Sequence, residues 1–131
     1  MNNTPRPNKS DLVASFRCAL EGLWYVLHAE RNARIHLIMA ALVVLVSAWL
    51  QLSSIEWVLM IAAIALVFAG EMLNTVVELT IDLITPERNS LAKRAKDVAA
   101  GAILVAAVAA AVMGLLILGP RLWLKLAALW R

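Results

Sequence analysis

The stretch WVLMIAAIALVFAGEMLNTVVELTID, residues 57–82, decides how the chain is read. From Trp57 to Gly70 it carries no charge; then Glu71, Asn74, Glu78 and Asp82 follow at steps of 3, 4 and 4. At ~100° per residue these four side chains share one stripe of a helix. Their neighbours Met72, Leu73, Val76, Val77, Leu79, Ile81 and Leu83 are apolar, so the carboxylates emerge from a helix otherwise suited to lipid. An ionised side chain at mid-membrane costs roughly 2.5–3.5 kcal/mol on insertion scales, which makes such groups functional candidates. A solvated helix end accounts well for Asp82, less well for Glu78 and poorly for Glu71.

The ends of this helix are marked in the sequence. Ser53-Ser54-Ile55-Glu56 reads as a capping box, and Thr85-Pro86 closes the helix because the residue before proline leaves the α region. The spacing predicts a membrane span over 55–83. A charge-free segment predicts another over 35–52. A third, 90–118, stops at Gly119-Pro120. At 1.5 Å per residue its about 29 residues reach ~43 Å, beyond the ~30 Å of a hydrocarbon core. Its first two turns, with Lys93, Arg94, Lys96 and Asp97, are therefore expected in water. Ala107 with Ala111, and Ala110 with Gly114, have the small-xxx-small spacing that lets helices approach closely; alanine's apolarity and helix propensity explain the same residues without any contact.

Before the first span, residues 9–30 are amphipathic, with Leu12, Phe16, Ala19, Leu20, Leu23 and Leu27 on one face. Such a helix lies in the membrane interface. Residues 1–8 are polar, hold two prolines and are expected to be disordered. Residues 119–131 contain the amphipathic WLKLAALWR, expected to be an interfacial anchor. The fold class is thus an all-α membrane protein: a surface helix plus three transmembrane helices.

Composition agrees. The chain has 131 residues, 63% hydrophobic and 16% charged, with mean hydropathy +0.81, against roughly 45–50% and 25% in soluble domains. A disordered tail, a disulfide scaffold and an ordinary soluble enzyme domain are excluded. The lone Cys18 forms no intrachain disulfide, and two histidines with one cysteine make no zinc constellation. The net charge of +3 gives no reason to expect nucleic acid. The distribution of charge says more. Arg6, Lys9, Arg17, Arg31 and Arg34 precede span one, Arg88, Lys93, Arg94 and Lys96 lie between spans two and three, and the 51–56 loop has none. The positive-inside rule puts the first two regions on the cytoplasmic side. Arg121, Lys125 and Arg131 then fall outside, against the rule. The five tryptophans sit near span ends as anchors, and His36 reads as an interfacial hydrogen-bonding group.

One membrane side thus gathers the carboxylate stripe, Glu30 and a basic cluster. Magnesium typically takes one or two carboxylates plus substrate phosphates. Phosphoryl transfer to a membrane alcohol requires a base for the hydroxyl, cations on the phosphates and positive charge near the transferred group. No Walker A sequence and no G-x-G-x-x-G occurs, which excludes a conventional nucleotide fold.

The residues also resemble a known family. Glu71-Met72-Leu73-Asn74-Thr75-Val76-Val77-Glu78, with Asp82 following, resembles the E-[IL]-[IL]-N-[ST]-x-x-E-x-x-x-D signature of the small bacterial integral-membrane diacylglycerol kinase and undecaprenol kinase family. Leu91-Ala92-Lys93-Arg94-Ala95-Lys96-Asp97 with Ala99-Ala100-Gly101-Ala102 resembles its A-K-D-x-A-[AS]-[AG]-A motif. Ala29-Glu30-Arg31-Asn32-Ala33-Arg34-Ile35-His36 is similar to the E-R-N-x-x-I-H segment of the undecaprenol kinase-like branch. Any one of these is weak; together they are highly specific and cover about residues 12–118.

The resemblance implies a homotrimeric bundle in the bacterial inner (cytoplasmic) membrane, with active sites at the cytoplasmic interface shared between subunits. It implies ATP and Mg²⁺, and phosphorylation of undecaprenol or diacylglycerol. Carried over by residue, Glu71 is the general base, Glu30 and Glu78 hold Mg²⁺ and so contact ATP, and Asn74 orients the site. Lys96 and Asp97 bind ATP, and Glu87, Arg88 and Asn89 match a nucleotide-contacting stretch. Two departures stand out: Cys18 replaces a common Tyr near the nucleotide, and Asp11 lies where the diacylglycerol branch often has Arg. The E-R-N segment favours a polyprenol acceptor. Two other readings compete with a lipid kinase. A small proton-coupled transporter would place its carboxylates at mid-bilayer with no need of Lys96 or Glu30. A non-catalytic assembly subunit would use its polar groups as interhelical glue.

Overall fold

The computed structural model describes residues 12–85, 87 and 89–129. The expected disordered segment 1–8 and Arg88 lie outside the described residues. Four helices follow one another: α1 (Leu12–Ala29), α2 (Arg31–Trp49), α3 (Ser54–Ile84) and α4 (Ser90–Leu129). No strand occurs among the described residues, and α2, α3 and α4 are each long and apolar enough to cross a membrane. The all-α membrane fold expected from the sequence is the one found. Large apolar side chains such as Leu42, Leu45, Leu66, Leu73, Val105 and Leu115 point outward, as suits a chain whose surrounding solvent is hydrocarbon.

The amphipathic helix breaks at one residue. Glu30 is extended (φ −97°, ψ 119°), and α2 starts directly at Arg31. Span one therefore begins four residues before the expected Ile35. The break is held by Arg34, whose Nη1 donates to the carbonyls of His28 at 2.7 Å and Leu27 at 3.4 Å. Those carbonyls would otherwise be left over at the end of α1. Only the C-terminal half of α1 is packed: Val26 is buried, Leu23 and Leu27 half-buried, while Leu12, Phe16 and Leu20 stay exposed.

The α2–α3 turn is tightly specified. Gln51 takes a left-handed conformation (φ 54°). The amides of Gln51 and Leu52 donate back to the carbonyls of Ala48 (3.1 Å) and Ser47 (3.3 Å), the paired bonds of a Schellman ending. Ser53 then caps α3 with the reciprocal box read from the sequence: its amide donates to Glu56 Oε2 at 2.7 Å, and its hydroxyl accepts from the Glu56 amide at 3.5 Å. Leu50, Leu52 and Met60 form a small core here, packed by Trp57, Ile117, Leu118 and Leu122.

The largest departure from expectation is in α4. Gly119-Pro120 does not end the helix, which runs through Pro120 to Leu129. Proline removes one backbone donor, but the turns beyond it are docked. Arg121 makes a bidentate pair with Glu56 (Nε to Oε1 2.8 Å, Nη2 to Oε2 2.7 Å). Lys125 donates to the Trp49 carbonyl and lies 4.3 Å from the Trp49 ring centroid. These contacts hold in helical form the segment expected to be a separate interfacial tail.

Helices α3 and α4 form the most extensive pairing. Their close approach is at Gly70, where an added Cβ would lie 3.8 Å from Ile103 Cγ1 and 3.9 Å from its Cα. Ala107, Ala110, Ala111 and Gly114 instead line an apolar groove.

Candidate functional site

Helix α3 positions the acidic stripe, and the packing of α1, α2 and α4 decides what each member meets. Glu71 is 2% exposed, deeper than any other charged residue among those described. Asn74 and Thr75 are buried on the same side, and Glu78 is half-buried one turn on. Asn74 Nδ2 donates to Glu78 Oε1 at 3.0 Å, so the amide holds the neighbouring carboxylate. The Thr75 hydroxyl donates to the Glu71 main-chain carbonyl at 3.0 Å and leaves the Glu71 carboxylate alone. The negative charges of Glu30, from the α1–α2 break, and of Glu78 both bear on Glu71. The structure thus gathers Glu30, Glu71, Asn74 and Glu78 as the sequence suggested.

A residue the sequence reading left at the interface joins them. His36 of α2 turns inward, its Nε2 3.2 Å from Glu71 Oε1. The pair is within ion-pair distance, yet its alignment falls short of a hydrogen bond; among the described residues Oε1 has no hydrogen-bond partner, and Asn74 Oδ1 is likewise buried without a donor. Buried polar atoms without partners are rare and call for an explanation such as a catalytic role. His36 follows the fully buried Ala33 by three residues, which puts both on the packed side of α2.

Beyond Glu78 the stripe reaches Asp82, which accepts from Lys96 Nζ of α4 at 2.5 Å. The pair borders a cleft of about 580 Å³ lined by Asp82, Thr85, Glu87, Asn89, Lys93 and Lys96, among others. That size suits a small-molecule ligand. Asn89 also caps α4: its Oδ1 accepts from the amides of Leu91 (2.8 Å) and Ala92 (3.4 Å). Asp97 is exposed and does not line the cleft. Of the residues linked to nucleotide, Lys96, Glu87 and Asn89 come together in the cleft, and Arg88 lies outside the described residues.

On the other side of His36 lies the apolar groove, about 450 Å³, between α2, α3 and α4. Met39, Val43, Val67, Phe68 and Ala110 are among its walls, and His36 is its polar member. Among the described residues no three His, Cys, Asp or Glu side chains converge as a ready metal cage. The donor set that is present, Glu30 and Glu78 with Asn74 steadying Glu78, is of the kind magnesium uses when phosphates complete its shell.

The structure brings together an acidic stripe in a membrane helix, a carboxylate from the α1–α2 break and a cleft holding two lysines, and the chain belongs to the prokaryotic diacylglycerol kinase family, which matches residues 17–118. It is a multi-pass membrane protein and a lipid kinase. Among its relatives, it is 44% identical over 108 residues to the undecaprenol kinase of Bacillus subtilis (strain 168), covering 82% of this chain and 88% of that one. It is 39% identical over 113 residues to a diacylglycerol kinase of Synechocystis sp. (86% and 65%). It is 34% identical over 95 residues to a diacylglycerol kinase of Haemophilus influenzae (72% and 80%).

Proposed function

We propose that this protein transfers the γ-phosphoryl group of ATP to the hydroxyl of a membrane lipid alcohol, with undecaprenol favoured over diacylglycerol. The observation that carries the reading is the burial of Glu71 close to an apolar groove, on the α3 stripe that leads through Glu78 and Asp82 to a cleft holding Lys93 and Lys96. The hydrocarbon chain lies on the groove side and the polyanion on the cleft side. The carboxylate stands where a lipid hydroxyl meets the phosphoryl group.

In this reading Glu71 takes the hydroxyl proton as the lipid oxygen attacks phosphorus. Lys96, released from Asp82, and Lys93 meet the phosphates. Glu30 and Glu78 would hold Mg²⁺, with Asn74 keeping Glu78 in place. When bound, Mg²⁺ supplies charge neutralisation on the phosphate oxygens. Every other part of the step is positioning: a groove for the chain, a fixed base and a cleft that concentrates the nucleotide.

The acceptor preference rests on the E-R-N segment at Glu30-Arg31-Asn32 and on the 44% identity to a protein named undecaprenol kinase. We place the active site on the cytoplasmic side of the inner membrane and the working unit as a homotrimer with shared sites. Arg31, Arg34, Lys93, Arg94 and Lys96 lie at the acidic end, while Arg121, at the opposite end, is paired with Glu56. The test is turnover of purified full-length protein in detergent with ATP and Mg²⁺, with undecaprenol and diacylglycerol assayed side by side. Faster formation of undecaprenyl phosphate supports the reading. Faster formation of phosphatidic acid overturns the acceptor, and no product with either lipid from a folded oligomer overturns the function.

A further inference from the structure

The groove and the acidic cluster meet at His36. Its ring lines the groove, and its Nε2 stands 3.2 Å from Glu71 Oε1. Its side chain is 26% exposed against 2% for the carboxylate, so it sits between the buried group and the space beside it. Among the described residues no hydrogen bond reaches Oε1. Thr75, the nearest hydroxyl on the same helix, is committed to the main chain, and Asn74 donates to Glu78 instead. Left to itself, a glutamate side chain with three rotatable bonds would sample several rotamers in that space. Glu30 and Glu78 add like charge around the carboxylate, which disfavours any rotamer that brings it closer to them.

We propose that His36 is the positioning residue of the reaction: it fixes the Glu71 carboxylate at the mouth of the apolar groove, so that one oxygen faces the arriving lipid hydroxyl. The inference rests on the reading of Glu71 as the base. His36 holds the base and does not itself touch phosphorus. At ion-pair distance, a small turn of the ring lets Nε2–H donate to Oε1, which would hold that oxygen and leave the other free to accept from the substrate. The balance of the step is unchanged. The lipid oxygen–phosphorus bond forms, the bond from phosphorus to the ADP oxygen breaks with its electron pair on ADP, and the hydroxyl proton goes to Glu71. Misplacing a reacting group by ~1 Å can cost about 100-fold in rate, which sets the size of the effect.

The experiment compares the full-length protein with His36→Phe, which keeps a ring and removes the donor, and His36→Gln, which keeps a donor of similar reach. Each is assayed with ATP, Mg²⁺ and undecaprenol in detergent, with oligomeric state and thermal unfolding measured in parallel. The expected result is a fall in kcat of about 100-fold in His36→Phe with KM for ATP unchanged and folding retained. Recovery in His36→Gln to within about tenfold of the parent is expected, since the bond is remade at a different angle. A fully active His36→Phe protein overturns the inference, as does a loss confined to KM for ATP, or a His36→Gln protein as slow as His36→Phe. If His36→Phe does not fold, the His36→Gln rate and its KM–kcat split decide alone: slowing confined to kcat supports positioning, and any other pattern overturns it. If the parent protein itself shows no turnover, the lipid-kinase reading has failed. If the parent is active and His36→Phe equally so, only this inference has.

Discussion

Helix α3 carries one glutamate in its first turn, Glu56, and another just past its middle, Glu71, and the two have opposite surroundings. Glu56 is fully partnered: the Ser53 amide and hydroxyl and a bidentate Arg121 converge on it. Glu71 has the reverse: near-complete burial, two like charges nearby and one imperfectly aligned histidine. The carboxylate that ties the α2–α3 turn to α4 has donors on both oxygens, whereas the one buried farther along the helix keeps an oxygen without a hydrogen bond among the described residues.

The sharpest way to break this contrast is Glu71→Gln. It removes the base without changing shape, so turnover is expected to fall by about 10²–10⁴-fold while melting and ATP binding persist. A fully active variant would end the base assignment. Next is Lys96→Met. Charge-assisted bonds are worth about 1.5–3 kcal/mol, so KM for ATP should rise roughly 10–100-fold, as read from initial rates at saturating lipid. Asn74→Ala frees Glu78 from its donor. Residues that orient metal ligands typically contribute about 10–100-fold in metal affinity, and a shift near the lower end of that range is expected in the Mg²⁺ concentration for half-maximal activity. Smallest in activity is Arg121→Ala. It should lower the unfolding temperature and leave turnover at the parent rate. A loss of activity comparable to that of Asn74→Ala would mean that the two regions of α3 are not separable.

How far the sequence foretold all this depends on the distance over which each feature is decided. The limits of α3 follow from signals within four residues, the Ser53–Glu56 box and the Thr85-Pro86 step, and they agree with Ser54–Ile84 to within a residue. The stripe of Glu71, Asn74 and Glu78 is a matter of helical period and was equally readable. What escaped is set by contacts between distant positions. Pro120 looked like a terminus because proline's local preference is known, but Arg121 docks on Glu56 across 65 residues, and no window of sequence contains both. His36 looked like an interfacial group because nothing near it on α2 requires an inward turn; the requirement comes from Glu71, on another helix. Small-residue spacing in α4 was compatible with close packing, yet those residues line the groove and the close approach occurs at Gly70 and Ile103. Spacing names a face but not the neighbour that will occupy it.

The break at Glu30 carries a mechanical consequence. A single extended residue joins α1 to α2, and its side chain is one of the carboxylates that crowd Glu71. A hinge of one residue cannot swing without carrying its own side chain along. The tilt of the first helix and the placement of that acid are therefore both set by the φ and ψ of Glu30. A change in lipid packing that tips α1 is expected to shift the Glu30 carboxylate relative to Glu71.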